Sequence, residues 1–441
     1  MSRSPLLNDF RIAYRSLQML PLKTAEDWAK YHVPYDTDEV ERLQQVIEDC
    51  SPANNKIVFT GHLGCGKSTL LNDVARRVDE EFFVVSFLID EVVEMSDVNH
   101  INILFAIGVQ MMAIAKEKGI ELAQSLRDDL DNWFSTITQT QTETPISAAL
   151  TAAFDFLVLK GQLKTSAETR KEIKRIFEPR ASELIEKLNN IAQAIETESG
   201  QAMLVIIDGL DKLDLGVARE VYAEHIKTLF QPEFRIIFTV PMAALRELDL
   251  REMLKRESND QLRSMSVTQL YTKPAKETQA TRRPPETREP LTAALETFQK
   301  ILARRIPERL IEPEAVELMV HYSGGVLREL IRLAYGCCGE CLLQVRREPE
   351  NLEIKITTKV VEQVVKTLRN DFAAPMSEPF YKILTEVYKT LSDPADDDAG
   401  HQKFLNLLHS LYILEYEDDE VWYDVHPIAV ELLEQKGRFL A

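Results

Sequence analysis

Lys56-Ile57-Val58-Phe59-Thr60-Gly61-His62-Leu63-Gly64-Cys65-Gly66-Lys67-Ser68-Thr69-Leu70-Leu71-Asn72 is the stretch that decides the fold. A short apolar run leads into a glycine-rich turn, and the turn leads into an amphipathic pattern. From Gly61 to Ser68 the residues fit G-x-x-x-x-G-K-[ST] without departure. Glycines let successive backbone N–H groups turn toward one anion, and a helix N-terminus adds to the attraction for negative charge. Gly61, His62, Leu63, Gly64, Cys65, Gly66, Lys67, Ser68 and Thr69 are therefore the expected phosphate-binding residues. Lys67 is expected to reach the β- and γ-phosphates of a nucleotide, and the Ser68 hydroxyl to ligate Mg²⁺.

A second anchor lies far along the chain. Met203-Leu204-Val205-Ile206-Ile207-Asp208 is a buried-strand pattern that ends in an acid. Such a strand presents a carboxylate at its C-terminal edge. Asp208 is the expected second Mg²⁺ group, and Asp211, three residues on, is placed to orient an attacking water.

Between the anchors, Phe82–Asp90 reads as another buried strand. Asn99 to about Glu198 reads as helical, with a polar break at Thr136–Pro145. Leu184, Ile185, Leu188, Ile191 and Ile195 form a helical stripe that predicts core packing. Phe234–Val240 and Met265–Leu270 are the remaining strand patterns. Upstream, residues 8–50 read as helical with a break from Tyr31 to Tyr35; these two tyrosines either close over an adenine or pack in the core.

Lys273–Pro290 carries Pro274, Pro284, Pro285 and Pro290 together with Arg282, Arg283 and Arg288, and reads as an extended linker. Leu291–Arg347 returns to helix, interrupted at Ser323-Gly324-Gly325-Val326-Leu327-Arg328. Cys337, Cys338 and Cys341 lack a second metal-binding pair, so they are expected to be helix-core residues. Near the end, two β-rich pieces flank Glu417-Asp418-Asp419-Glu420, which predicts a hairpin followed by a last helix.

The fold class expected is therefore α/β. A P-loop parallel sheet with a helical insertion precedes an all-α lid and a winged-helix domain. The expected boundaries are an N-terminal helical segment over 1–50 and an ATPase core over 51–273 with its insertion at about 97–200. A linker over 274–290, a lid over 291–370 and a winged-helix-like domain over 371–441 follow.

A chain of 441 residues is too long for one ordinary core. No apolar run reaches the roughly 18–20 residues of a membrane span. The N-terminus lacks a signal-peptide layout, and five cysteines do not make a disulfide framework, so a cytoplasmic protein is expected. The net charge is −19, which argues against a surface built wholly for nucleic acid.

Together these anchors resemble the AAA+ and STAND groups of P-loop ATPases, in particular the initiator, origin-recognition-like branch and the prokaryotic STAND switches. The resemblance covers about residues 30–441 and implies ATP and Mg²⁺ as cofactors. It puts Thr239 at the sensor-1 position and Arg328 at the sensor-2 position, an arginine that reaches the γ-phosphate from the lid. One departure stands out: Gly209 follows Asp208 where many AAA+ proteins carry a glutamate, which implies slow hydrolysis. The arginine-finger position has four candidates, Arg219, Arg235, Arg246 and Arg251, and Asp90 and Glu91 stand in reserve as catalytic acids.

Three functions remain open. The first is an ATP-driven switch in bacterial signalling or defence that acts on a protein partner or on itself. Another is a DNA-binding initiator-like or transposition-type regulator. The third is a nucleotide-binding scaffold with negligible turnover. Between Asn370 and Ala441 there are fifteen acidic residues and five Lys or Arg, which disfavours DNA. Basic material for an internal contact stands at Arg282, Arg283, Arg304 and Arg305.

Overall fold

The structure, a computed structural model, describes residues 5–22, 24–35, 37–49, 56–130, 156–274 and 290–438. Two compact units emerge. One is Asp38–Thr60 with Leu70–Ser264; the other is Met1–Thr37, Gly61–Thr69 and Met265–Ala441.

The first unit is built on a sheet. Its strands are β1 (Lys56–Gly61), β2 (Phe82–Leu88), β3 (Ala202–Asp208), β4 (Arg235–Pro241) and β5 (Leu262–Met265), in the order β2-β3-β4-β1-β5. β2 and β3 run parallel from Phe82↔Ala202 to Leu88↔Asp208, and β3 and β4 are parallel as well. β1, β3 and β4 are almost wholly buried. Strands covered on both faces carry continuous apolar runs rather than alternation, which is why these segments stood out in the sequence. The Thr60 hydroxyl donates to the Val240 carbonyl at 2.8 Å, so the ends of β1 and β4 are tied.

The insertion between β2 and β3 is helical, as expected: His100–Glu117, Phe156–Thr165, Ala167–Phe177 and Ala181–Ser199. Leu184, Ile185, Leu188, Ile191 and Ile195 are all buried, so the stripe is core. Gly108 permits a close helix approach, since a Cβ there would stand 2.8 Å from Leu188. Arg170 is buried and bonds Asp97 through Nε and Nη2 at 2.8 and 2.7 Å, while its Nη1 donates to the carbonyls of Leu163 and Lys164. The polar break at Thr136–Pro145 lies outside the described residues.

The last strand departs from expectation. It is Leu262–Met265 rather than Met265–Leu270, and the Val58 N–H donates to the Gln261 carbonyl beside it. The apolar signal downstream has another origin. Val267 packs with Val326, Leu391, Leu414, Tyr416 and Trp422 in a core of the second unit.

That second unit joins the N-terminal helices to the lid. Pro5–Ser16 lies on Leu327–Arg347, with Tyr14 stacked on Tyr335 at 4.0 Å between ring centroids. The Tyr335 contact and burial push the Tyr14 hydroxyl up to about 12. The remaining lid helices are Thr292–Ala303, Pro313–Ser323 and Thr358–Ala373. Cys337, Cys338 and Cys341 are buried in helix Leu327–Arg347, where apolar surroundings suit the neutral thiol. The chain closes with helices Glu378–Thr390 and Asp398–His409, an antiparallel hairpin of β6 (Ile413–Glu417) and β7 (Val421–Val425), and helix Pro427–Gln435. Most of the linker, with Arg282, Arg283 and Arg288, lies outside the described residues.

Arg170→Met removes the cation that Asp97 faces. Because the Asp97 side chain keeps 27% exposure, the loss is smaller than for a fully buried pair, about 2–3 kcal/mol. Urea unfolding should show it as a lower midpoint, with part recovered when Asp97→Asn is added. An unchanged midpoint would mean that the pair is held only loosely.

Candidate functional site

The loop after β1 bends sharply. Gly64 and Gly66 hold φ of +83° and +116°, a region open to glycine and costly for other residues. Space enforces the same choice. A Cβ on Gly64 would stand 2.5 Å from Arg328 Cβ, and one on Gly66 would collide with the Tyr35 hydroxyl. Within the loop the Cys65 N–H donates to the His62 carbonyl and the Thr69 N–H to the Gly66 carbonyl. Lys67 opens helix Lys67–Val78, and Ser68 follows it, half-buried. Lys67 Nζ donates to the carbonyls of Gly61 and His62 at 2.8 and 2.7 Å, which curls the ammonium back over the loop.

Three contacts bind this loop to the rest of its unit. The Arg328 N–H donates to the Gly64 carbonyl at 3.0 Å. The Tyr35 hydroxyl donates to the Cys65 carbonyl. His62, 2% exposed, accepts from the Glu415 N–H through Nε2 at 2.8 Å, so a P-loop side chain holds the backbone of β6. Nε2 is thus the unprotonated nitrogen. Leu63, by contrast, is only half-buried.

Arg328 itself is exposed at the start of its helix, where Gly324 and Gly325 form the preceding turn. A Cβ on Gly324 would meet Leu414 at 2.6 Å, and one on Gly325 would overlap the Thr268 carbonyl. The Tyr416 hydroxyl donates to the Gly324 carbonyl at 2.7 Å. Next to Arg328, burial raises the carboxyl pKa of Glu329, and Arg332 and Arg328 oppose the rise. The hairpin therefore packs on the very turn that places Arg328.

In the sheet-bearing unit, Asp208 ends β3 and accepts from the Gly209 N–H through Oδ1 at 2.7 Å. Gly209, at φ +86°, starts a short turn that carries Asp211, which is 5% exposed. Thr239, fully buried, accepts from the Leu210 N–H at 3.0 Å and donates to the Ile207 carbonyl at 3.2 Å. Both roles of its hydroxyl go to the chain around Asp208 and Asp211. Thr239 is thus a positioning residue for that turn. Tyr222 supports it from behind, donating to the Thr239 carbonyl at 2.9 Å. Burial and then the Asp211 charge keep the Tyr222 phenol protonated.

Other candidates are occupied elsewhere. Asp90 pairs with Lys212 at 2.9 Å, and Arg219 with Glu247 at 2.6 Å. Arg235 is buried on Phe82 and donates to the Ile47 carbonyl, a structural position. Tyr31 lies under the Arg305 guanidinium, whose Nη1 reaches the Tyr31 carbonyl. Arg304 donates to the Ala29 carbonyl. The acidic hairpin turn meets Ser266, Gln269 and Lys273 through Glu417, Asp418 and Glu420, so Lys273, rather than Arg304 or Arg305, supplies its described basic partner.

Parallel sheet, glycine loop and lysine at the head of a helix define a P-loop domain. The model of the KAP family P-loop domain matches residues 37–241, a span that holds the loop, Asp208, Asp211 and Thr239 and leaves the lid and hairpin outside. No curated protein matches the chain. Among solved structures, the chain is similar to Cdc6p of Pyrobaculum aerophilum at 10% identity. That overlap covers 93% of this chain and 95% of the other, with a TM-score of 0.39. It is similar too to the Aeropyrum pernix Orc1 protein, solved in complex with DNA. There the identity is 12%, the coverage 97% of each chain and the TM-score 0.43. At these values neither structure lends its function to this chain.

Gly64→Ala puts a methyl group into Arg328 and forces an L residue to positive φ, which costs about 1–3 kcal/mol. Calorimetric unfolding of the variant should show the loss. A transition equal to the parent's would mean that the loop and Arg328 part without cost.

Proposed function

We propose that this chain is a Mg²⁺-dependent ATP-binding switch that hydrolyses ATP slowly and passes the state of its phosphate loop to the lid and hairpin. The observation that supports this reading most is the double tie on the loop, Arg328 to Gly64 and Glu415 to His62. A loop that rearranged on binding a phosphate would move the carbonyl and the imidazole that those ties use. The P-loop family match supports nucleotide binding in general.

The residues suit the nucleotide. Glycines stand where side chains would collide, and a lysine and a hydroxyl head the helix. Bound ATP would supply a transferable γ-phosphoryl group, and Mg²⁺ would neutralise its charge. In this reading the loop from Gly61 to Thr69 cradles the phosphates, and Lys67 meets the β- and γ-oxygens. Ser68 and Asp208 would hold Mg²⁺, Asp211 would orient water, and Arg328 would reach the γ-phosphate from the lid. Gly209, in place of a glutamate, leaves Asp211 as the acid for the water, which supports slow turnover.

The segment from Glu378 to Gln435 has the helix, helix, hairpin and helix order of a winged helix. Its acidic turn favours a basic protein surface or a second copy of this chain over duplex DNA. The described cysteines are buried, in keeping with a reducing cytoplasm. None of the described helices is long and apolar enough to cross a membrane.

Lys67→Ala should remove most ATP affinity in calorimetry while the circular dichroism spectrum stays that of the parent. Equal ATP binding by parent and folded variant would sink the nucleotide assignment.

The coupling has a separate readout, the hydrogen-exchange rate of the Glu415 amide in the full chain. His62→Ala should speed its exchange, and ATP–Mg²⁺ and ADP–Mg²⁺ should leave the parent amide with different protection. Identical rates across both comparisons would remove the hairpin from the switch.

A further inference from the structure

Three side chains from three segments meet within the sheet-bearing unit, away from Asp208 in sequence and unused by the proposed switch. His100 is the first residue of helix His100–Glu117. Glu178 opens the short turn Glu178–Arg180, just after helix Ala167–Phe177. His225 closes the π-helical turn Glu220–Glu224. Each offers one ligand atom, and these atoms lie within 4.8 Å of one another. Among the described residues, no other cluster of this kind occurs.

The environment of His100 points to a ligand. The residue is 3% exposed, and its Nδ1 is buried with no hydrogen-bond partner. A buried polar atom left unpaired is costly, and native chains rarely keep one without a use. The His225 ring stacks on it, with centroids 3.6 Å apart and planes 18° apart. The facing charges are mixed. Lys174 opposes a cation but is itself drawn to Glu220 at 3.5 Å, and Glu178 contributes a carboxylate from the exposed side.

We infer that His100, Glu178 and His225 form a binding site for one divalent transition-metal ion of the Zn²⁺ class. Two imidazoles and one carboxylate suit Zn²⁺, Co²⁺ or Ni²⁺ and not Mg²⁺ or Ca²⁺, which prefer oxygen ligands. Three protein ligands leave a further position for water. From this stack the rings would turn apart for both to address one ion. His225 is the ring free to do so, half-buried at the end of an irregular turn. π-helical turns are rare and concentrate at functional sites. This one also carries Tyr222, which bonds the Thr239 carbonyl. The ion would therefore brace the helical insertion against the turn that supports Thr239, and through it the chain around Asp211.

The test uses the full chain without nucleotide, stripped with chelator and returned to metal-free buffer. Zn²⁺ titrated in a calorimeter should bind at one equivalent and raise the unfolding temperature. Co²⁺ should give visible d–d bands without the near-ultraviolet thiolate bands that binding to Cys337, Cys338 or Cys341 would produce. Glu178→Gln changes an exposed residue and preserves the fold, and it should weaken the isotherm; His225→Ala should abolish it. His100→Ala leaves a cavity, so it counts only if its circular dichroism matches the parent. No binding by the parent overturns the site. So does binding that survives both Glu178→Gln and His225→Ala, or a cobalt spectrum with thiolate bands. In each of these cases the two rings are only a packed pair. The readouts involve no ATP, so failure here leaves the nucleotide reading standing.

Discussion

The N–H of Arg328 donates to the carbonyl of Gly64 because Gly64 has no side chain to stand in the way. Much of the second unit is arranged around that approach. The turn before Arg328 is two glycines deep, since Leu414 presses on one and the Thr268 carbonyl on the other. Trp422, Tyr416 and Leu414 pack around Val326 in the same turn. A phosphate loop is thereby held by backbone groups of the lid, and the lid turn is held by the hairpin. Each layer fixes the next through close backbone contact, where small displacements are strongly resisted.

Local pattern revealed what local forces decide. Buried parallel strands announce themselves as apolar runs, so β1, β2, β3 and β4 were readable within a residue or two. Asp208 was readable because a carboxylate at the end of such a run is conspicuous. The P-loop was readable because its backbone needs glycine at fixed spacing. β5 is hidden in the sequence, since Val267 and Leu270 downstream are apolar for a different reason, burial in the second unit. The bond from Glu415 to His62 joins residues far apart in sequence, and nothing in either neighbourhood announces it. His62 fills a position where the loop motif accepts any residue. Thr239 lies in the last residues of β4, and only coordinates show that its hydroxyl bonds the Leu210 N–H and the Ile207 carbonyl.

Charge follows the same division. An excess of acid over the C-terminal residues was evident from composition, and it set the expectation about nucleic acid. Which base answers it was not. Lys273, not the paired arginines of the lid, meets Glu420, while Arg305 spends its guanidinium on Tyr31 and main-chain carbonyls. Burial pulls the Arg305 pKa down to about 10.

The His62–Glu415 bond carries one more implication. β6 and β7 form a sheet of only two strands, and the Glu415 N–H belongs to the outward edge of β6. Free edges of this kind recruit strands from other chains, and proteins commonly blunt them with charge, proline or a covering segment. Here an imidazole from the phosphate loop does the covering. The acids Glu417, Asp418 and Glu420 guard the tip of the hairpin, and His62 guards its middle. One residue of the glycine loop thus also covers a strand edge. Any rearrangement that draws the loop away from the hairpin uncovers a strand edge, and with it a place where a second polypeptide can add.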